Sequence, residues 1–172
     1  TVASLLVPIQ MAAQNWDDHD RSDRYVARDF GINYLESCEP NAVIFTNGDN
    51  DTFPLWYAQE VEGVRTDIRV CNTSYLQTDW YIDQMKRQAY ESEPLPISWN
   101  RSDYVQGTRD VAYIFPMTDK AIDLNTALNF VRSNDPKYKK IPGINQALDY
   151  IPSQKLIYKV DSAAALKSGV IK

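Results

Sequence analysis

Two polar clusters contain the side chains of this sequence that are best suited to chemistry. One is Asn47-Gly48-Asp49-Asn50-Asp51, and the other is Asp17-Asp18-His19-Asp20-Arg21. Carboxylate oxygens are the ligands that Mg²⁺, Mn²⁺ and Ca²⁺ prefer, so Asp49 and Asp51 form a candidate divalent-cation site. A histidine flanked by carboxylates can bind a metal or act as a general base. We therefore treat both clusters as candidate ligand-binding segments.

Three interpretations of the first cluster compete. Asp49 and Asp51 form an Asp-x-Asp pattern like the metal site of nucleotide-sugar transferases. A phosphatase of the haloacid dehalogenase type needs Asp-x-Asp-x-Thr directly after a strand, and this pattern fails because Gly48 intervenes and Thr52 follows Asp51 immediately. In the third interpretation, Asp49 and Asn50 shape a turn and Asp51 caps a helix.

The second cluster has an equally ordinary explanation. A single histidine without a second ligand four residues away is a weak zinc signal, and a solvated helix cap with local Asp–Arg pairing explains the same residues. The two clusters gain meaning only if they meet in space. The predicted ligand-binding set is Asp17, Asp18, His19, Arg21, Asn47, Gly48, Asp49, Asn50, Asp51 and Asn72.

A β-α-β unit is predicted to position the first cluster. The continuous apolar run Ala42–Thr46 is typical of a parallel strand covered on both faces. Asp51 or Thr52 is predicted to cap the following helix, which should end at Gly63. A second strand is predicted over Asp67–Asn72. Ligands gather beyond the carboxyl ends of parallel strands, so Asn72 should lie beside the first cluster.

The remaining pattern extends this arrangement along the chain. Helices are predicted over Ser22–Ser37, from Thr78 or Asp79 onward, and over Asp119–Arg132, and strands over Val111–Phe115 and Gln154–Val160. The predicted fold class is α/β, a Rossmann-like layered fold with a mainly parallel sheet of about three to five strands flanked by helices. Predicted domain bounds are residues 1–18 for an N-terminal arm, 19–160 for a single α/β domain and 161–172 for a C-terminal tail.

Composition excludes several classes of protein. With 44% hydrophobic residues among 172, the chain can bury a core and is not disordered throughout. Eighteen basic against 23 acidic residues give a net charge of −5, which argues against nucleic acid as a partner. Cys38 and Cys71 are too few for a disulfide scaffold, and free thiols are favoured over a pair. The apolar start without Met or a basic leader is interpreted as the end of a preceding membrane segment, with a buried edge strand or packed arm as the alternative.

Three long motifs occur in an order that identifies a family resemblance. They are Asn15-Trp16-Asp17-Asp18-His19-Asp20-Arg21-Ser22, then Asn47-Gly48-Asp49-Asn50-Asp51-Thr52-Phe53-Pro54-Leu55-Trp56-Tyr57, then Gly63-Val64-Arg65-Thr66-Asp67-Ile68-Arg69-Val70-Cys71-Asn72. With them the chain resembles a Bacteroidetes family of multi-pass membrane proteins of unknown function, whose membrane half is related to protein O-mannosyltransferases. The resemblance covers roughly residues 5–92.

The resemblance implies a noncatalytic role for this chain. It implies a portion on the extracytoplasmic, periplasmic side of the inner membrane, with the catalytic carboxylate in the membrane half and a lipid-linked phosphate sugar as donor. The implied partners are the membrane half of the same polypeptide, the lipid-linked sugar and a protein acceptor. The alternative is an independent metal-dependent sugar-phosphate binder or enzyme that uses Asp49 and Asp51, with a divalent cation as cofactor.

Overall fold

The structure, a computed structural model, describes residues 3–167. The chain divides into two units, Thr1–Ile97 and Ser98–Lys172. Residues 1–2 of the predicted arm and 168–172 of the predicted tail lie outside the described residues. The predicted single domain over 19–160 takes in parts of both units, and its bounds stay a prediction.

The N-terminal segment is helical. A short 3₁₀ turn over Ala3–Leu5 leads into helix α1, Leu6–His19, which has no buried residue. The alternative of a buried edge strand is therefore wrong. Among residues 3–167, no helix is both long enough and apolar enough to cross a membrane.

The predicted β-α-β unit is present and is parallel. Helix α2 (Val26–Glu36) precedes strand β1 (Val43–Thr46), and helix α3 (Asp49–Glu60) leads to strand β2 (Arg69–Asn72). The register pairs Val43 with Arg69 and Thr46 with Asn72. Both strands therefore end at the same edge of the pair, as the sequence predicts.

Two details of this unit differ from the prediction. Helix α3 begins at Asp49 and not after Asp51 or Thr52, because the backbone of Gly48 already turns the chain, and it ends at Glu60 before Gly63. Strand β1 is not covered on both faces, since Val43 and Phe45 are 42% and 62% exposed. Its side chains alternate between solvent and core, the pattern of a strand with one buried face.

The core of the first unit has two parts that meet at Trp56. Helices α2 and α3 pack against both strands, and the buried side chains there are Leu35, Leu55, Ala58, Ile68 and Val70. Helix α4 (Asp79–Met85), whose N-cap is Thr78 as predicted, packs Tyr81 and Met85 around Cys71. The thiols of Cys38 and Cys71 are both free.

The second unit contains short elements. They are α5 (Arg101–Tyr104), β3 (Tyr113–Ile114), β4 (Ile122–Asp123), α6 (Leu124–Arg132), β5 (Tyr150–Ile151), β6 (Leu156–Ile157) and α7 (Ser162–Lys167). Helix α6 starts later than predicted because the Asp123 side chain accepts from Thr126 N and caps it.

The three strand pairs of the described chain are all parallel. Strand β3 pairs with β5 and β4 pairs with β6, both parallel. With β1 and β2, the described strands form three two-stranded sheets. The chain is therefore an α/β protein with short parallel strands, and the predicted Rossmann-like sheet of about three to five strands is not confirmed.

An arginine–aspartate pair fixes the entry into both strands of the first unit. Arg65 donates to both carboxylate oxygens of Asp67, at 2.8 and 3.0 Å. Arg65 also donates to the carbonyls of Leu35 and Cys38 at the end of α2, and Asn41 N donates to Asp67. These bonds lower the pKa of Asp67 from 3.8 to about 2, with the Arg65 hydrogen bond as the largest cause.

Because of this pair, we expect the first unit to lose stability in acid. The folded-state pKa of Asp67 lies below its unfolded value. The contribution of Asp67 to the unfolding free energy is therefore complete above pH 3.8 and is lost as pH falls through about 2. We expect Asp67→Asn to cost about 1–2 kcal/mol of unfolding free energy near neutral pH and almost nothing near pH ~2. Urea unfolding of both proteins across this range measures the difference, and a gap that does not shrink in acid contradicts it.

Candidate functional site

The polar edge, defined as Asn47, Gly48, Asp49, Asn50, Asp51, Asn72 and Thr73, lies where β1 and β2 end. Asn72 is fully buried, and its amide donates to Thr52 Oγ1 at 3.0 Å and to the Gly48 carbonyl at 3.4 Å. Thr73 Oγ1 donates to the Thr46 carbonyl at 2.8 Å. The predicted proximity of Asn72 to the first cluster is confirmed.

Buried hydroxyls fix the loop between β1 and α3. Thr52 Oγ1 donates to the Gly48 carbonyl at 2.6 Å and lies 2.6 Å from Thr46 Oγ1. Thr46 and Thr52 are both buried. The hydroxyls of Thr46 and Thr52 and the carbonyl of Gly48 thus all have hydrogen-bond partners within the unit. These bonds hold the backbone of the loop in place.

Gly48 supplies a backbone conformation that other residues rarely adopt. Its φ is 89° and its ψ is −170°, a region essentially restricted to glycine. A Cβ at this position would meet no atom within 4 Å. Any cost of a side chain here is therefore conformational and not steric.

We expect Gly48→Ala to lower the unfolding free energy by about 1–3 kcal/mol. Asn50→Ala, at an exposed position in the first turn of α3, is the nearby control and should change the unfolding free energy by less than ~0.5 kcal/mol. Equal effects of the two substitutions, measured by urea unfolding, would show that the backbone of Gly48 is not strained by a side chain.

The two carboxylates of the polar edge have different partners. Asp49 and Asp51 lie in the first turn of α3, where negative charge is favourable against the helix dipole. Asp49 Oδ1 accepts from the Tyr75 hydroxyl at 3.2 Å, and Asp51 Oδ2 accepts from Asn47 N at 3.4 Å. Residues two apart on a helix do not face each other. In the described chain, no group of three or more His, Cys, Asp and Glu is placed to hold a metal ion.

The second cluster makes local hydrogen bonds. His19 Nδ1 lies 2.9 Å from the Asn15 carbonyl, Arg21 donates to the Asp18 carbonyl at 2.7 Å, and Asp20 accepts from Ser22. The described hydrogen bonds of Asp18–Arg21 join residues at most four positions apart. The structure thus brings Asn72 to the first cluster and gives no hydrogen bond between the two clusters. Ligand binding by Asp17, Asp18, His19 and Arg21 stays a prediction.

Two tyrosines of the site were missed by sequence reasoning. Tyr81 OH accepts from Asn72 N at 2.9 Å and is buried, and burial raises its pKa. Partial burial and the hydrogen bond to Asp49 raise the pKa of Tyr75. Their position just after β2 and in the next helix was the available signal, because those residues must return past the strand ends.

An aromatic row borders the polar edge. Its members are Phe53, Trp56, Tyr75 and Trp80, whose consecutive ring centroids are 5.7, 6.2 and 5.9 Å apart. Phe53 and Trp80, at its two ends, are 48% and 50% exposed. Tyr75 links the row to the polar edge through Asp49. Aromatic faces beside hydrogen-bonding groups are typical of surfaces that bind amphipathic ligands.

Comparison with known proteins places these features in a family. The family model described as "TMEM260-associated domain 2" matches residues 27–172. The protein "Protein O-mannosyl-transferase TMEM260" of Mus musculus is 29% identical over 85 residues, which cover 49% of this chain and 12% of that protein. The chain therefore spans a small part of this relative. No solved structure matches. The predicted relation to protein O-mannosyltransferases is confirmed, and the Bacteroidetes origin stays a prediction.

Proposed function

Because the chain belongs to the TMEM260-associated domain 2 family, we propose that it is a noncatalytic extracytoplasmic domain of a membrane-bound glycosyltransferase-like protein. In this proposal the domain lies on the periplasmic side of the inner membrane. Its partners are the membrane half of the same polypeptide, a lipid-linked sugar donor and a protein acceptor. The family match and the similarity to an O-mannosyltransferase support this assignment.

The polar edge and the aromatic row are the proposed contact surface for acceptor or donor. The observation that supports this choice is the hydrogen bond between Tyr75 and Asp49, which joins the aromatic row to an exposed carboxylate of the polar edge. Sugars present hydroxyls and C–H faces, so a surface that combines rings with carboxylate and amide groups fits them. Buried Asn72 and Thr52 hold this surface and would not touch the ligand.

Sidedness is tested on the whole membrane protein. A Lys140→Cys variant places a thiol at an exposed position of the second unit. A membrane-impermeant maleimide should label it from outside the inner membrane in intact cells, while the native protein, with its buried Cys71 and half-buried Cys38, is the control. Labelling that appears only after the membrane is opened would place the domain in the cytosol and contradict the proposal.

The contact surface is tested by sugar transfer in membranes that contain the whole protein. Asp49→Ala and Trp80→Ala should each raise the KM for donor or acceptor without lowering kcat, because these residues would bind and not react. Asp29→Ala, an exposed acidic residue of α2, is the control for lost charge. Unchanged KM values in both variants would remove this surface from the proposal.

The alternative is a metal-dependent sugar-phosphate-binding domain or enzyme that uses Asp49 and Asp51. Both carboxylates are exposed at the carboxyl end of β1, which favours it. Their divergence along α3 favours the first proposal, so we expect Mg²⁺, Mn²⁺ and Ca²⁺ to give no saturable heat in calorimetric titration and no change in Tm. Saturable heat that Asp49→Ala abolishes would establish the alternative.

A further inference from the structure

A cavity of about 450 Å³ lies in the first unit, and no residue of the polar edge lines it. It is bordered by Ile68–Val70 at the start of β2, by Trp56 of α3, by Tyr81 of α4 and by the turn that contains Ala89. This volume is within the range of small-molecule sites, and the lining combines aromatic and apolar side chains with a few polar groups. The cavity is therefore large enough for an organic ligand.

Arg69, in the wall of this cavity, is a buried cation with no carboxylate partner among residues 3–167. It is 5% exposed. Its Nη2 group donates to the carbonyls of Arg87, Ser92 and Glu93 at 2.8, 2.9 and 3.0 Å. Its Nε is buried and has no hydrogen-bond acceptor among the described residues. Carbonyl dipoles hold the group in place but do not neutralise its charge.

The electrostatics of Arg69 are unfavourable as they stand. Desolvation lowers the pKa of its guanidinium. The neighbours that raise this pKa are Tyr81 and Cys71, which are neutral at pH 7, and no described carboxylate contributes. Glu60 also lines the cavity but accepts from the Tyr90 hydroxyl. A buried charge without a counter-ion is costly, so such groups normally pair.

The second unit contains the usual solution for a buried arginine. Arg109, whose side chain is 4% exposed, also donates to backbone carbonyls, those of Val131 and Asp103. Its Nε, however, lies 4.0 Å from a carboxylate oxygen of Asp149. Arg69 and Arg109 are thus both held by backbone carbonyls, but only Arg109 has a described carboxylate nearby.

We propose that this cavity binds a small organic anion, whose carboxylate or phosphate pairs with Arg69 and whose apolar part packs against Trp56 and Tyr81. The Arg69 guanidinium is already fixed by three carbonyls, so little conformational entropy is lost when the anion binds. The ligand supplies the negative charge that the described residues around Arg69 do not provide. The cavity shares Trp56 with the aromatic row, but no polar-edge residue lines it. Arg69 lies outside the proposed contact surface and Asp49 lies outside the cavity, so Arg69→Gln and Asp49→Ala test the two proposals separately.

The test is NMR titration of the 172-residue chain with benzoate, phenyl phosphate and the neutral isostere benzamide. We expect saturable shifts at Ile68–Val70 and at residues 87–92 with at least one anion. Benzamide should bind at least about tenfold more weakly, because its neutral amide cannot form a charge-assisted hydrogen bond to the guanidinium. The tighter of the two anions identifies the class of the natural ligand's acidic group.

Three variants complete the test. Arg69→Gln should lose the preference for the anion. Ala89→Phe narrows the cavity while Arg69 keeps its carbonyl bonds, and it should abolish binding even if Arg69→Gln does not fold. Arg28→Gln removes a half-buried arginine outside the cavity and should bind as the native chain does. The proposal is overturned if benzamide binds as tightly as both anions, if neither anion binds, or if Ala89→Phe binds normally.

Discussion

Asn72→Ala is expected to lower the free energy of unfolding by about 3 kcal/mol, because it leaves several buried polar groups without partners. The Asn72 amide donates to Thr52 Oγ1 and to the Gly48 carbonyl. Its Oδ1 accepts from Ser74 N at 2.8 Å and from Tyr75 N at 3.3 Å. The side chain therefore holds both loops of the polar edge. Urea unfolding measures the loss.

Two further variants show whether this loss comes from hydrogen bonds. Asn72→Asp keeps an acceptor for the Ser74 and Tyr75 amides but places a carboxylate opposite the Gly48 carbonyl, so it should remain destabilised and improve as pH is lowered. Asn47→Ala removes an exposed asparagine of the same edge and should cost less than ~0.5 kcal/mol. If Asn47→Ala and Asn72→Ala cost the same, the buried network is not what holds the loops.

Gly31→Ala is expected to force helices α2 and α3 apart. A Cβ on Gly31 would lie 2.3 Å from the Pro54 carbonyl oxygen and 2.7 Å from the Pro54 carbonyl carbon. Both atoms are backbone, so no side chain can turn away to relieve the clash. Overpacking of this kind costs about 3 kcal/mol, and the better helix propensity of alanine returns about 1, which leaves a net loss of about 2 kcal/mol. Thermal and urea unfolding both measure it.

Ala27→Gly is the matched control on the same helix. Ala27 is exposed, so this change reports helix propensity alone and should cost about 1 kcal/mol. If helix propensity alone acted, Gly31→Ala would instead stabilise the protein by about 1 kcal/mol. A stabilised Gly31→Ala protein would show that α2 and α3 can separate freely and that their close approach does not position the polar edge.

The β-α-β unit could be predicted from sequence because its signals are local. The apolar run at 42–46, the polar turn at Asn47–Asp51 and the second apolar run ending at Asn72 each follow from a few neighbouring residues. Parallel pairing then brings the two strand ends together, which is why the proximity of Asn72 to Gly48 could be predicted. The family resemblance also rested on these contiguous motifs.

The number of strands in each sheet and the burial of particular side chains could not be predicted in the same way. The apolar run predicted that Val43 and Phe45 are core residues, but both are exposed. Their exposure depends on which elements cover β1, and a local sequence pattern does not contain that information. Similarly, His19 and its neighbouring carboxylates could have met the polar edge, and their hydrogen bonds are instead local.

Short contiguous sequence patterns were enough to predict strands β1 and β2, the polar residues of the loop between β1 and α3, and the family resemblance. Tertiary packing alone decided that Arg69 is enclosed with no described carboxylate beside it, that Gly31 meets the Pro54 carbonyl and that Tyr81 accepts from Asn72 N. The physical reason is that propensity and periodicity act over a few residues. Desolvation and steric contact depend on atoms 9 to 24 positions away in the sequence.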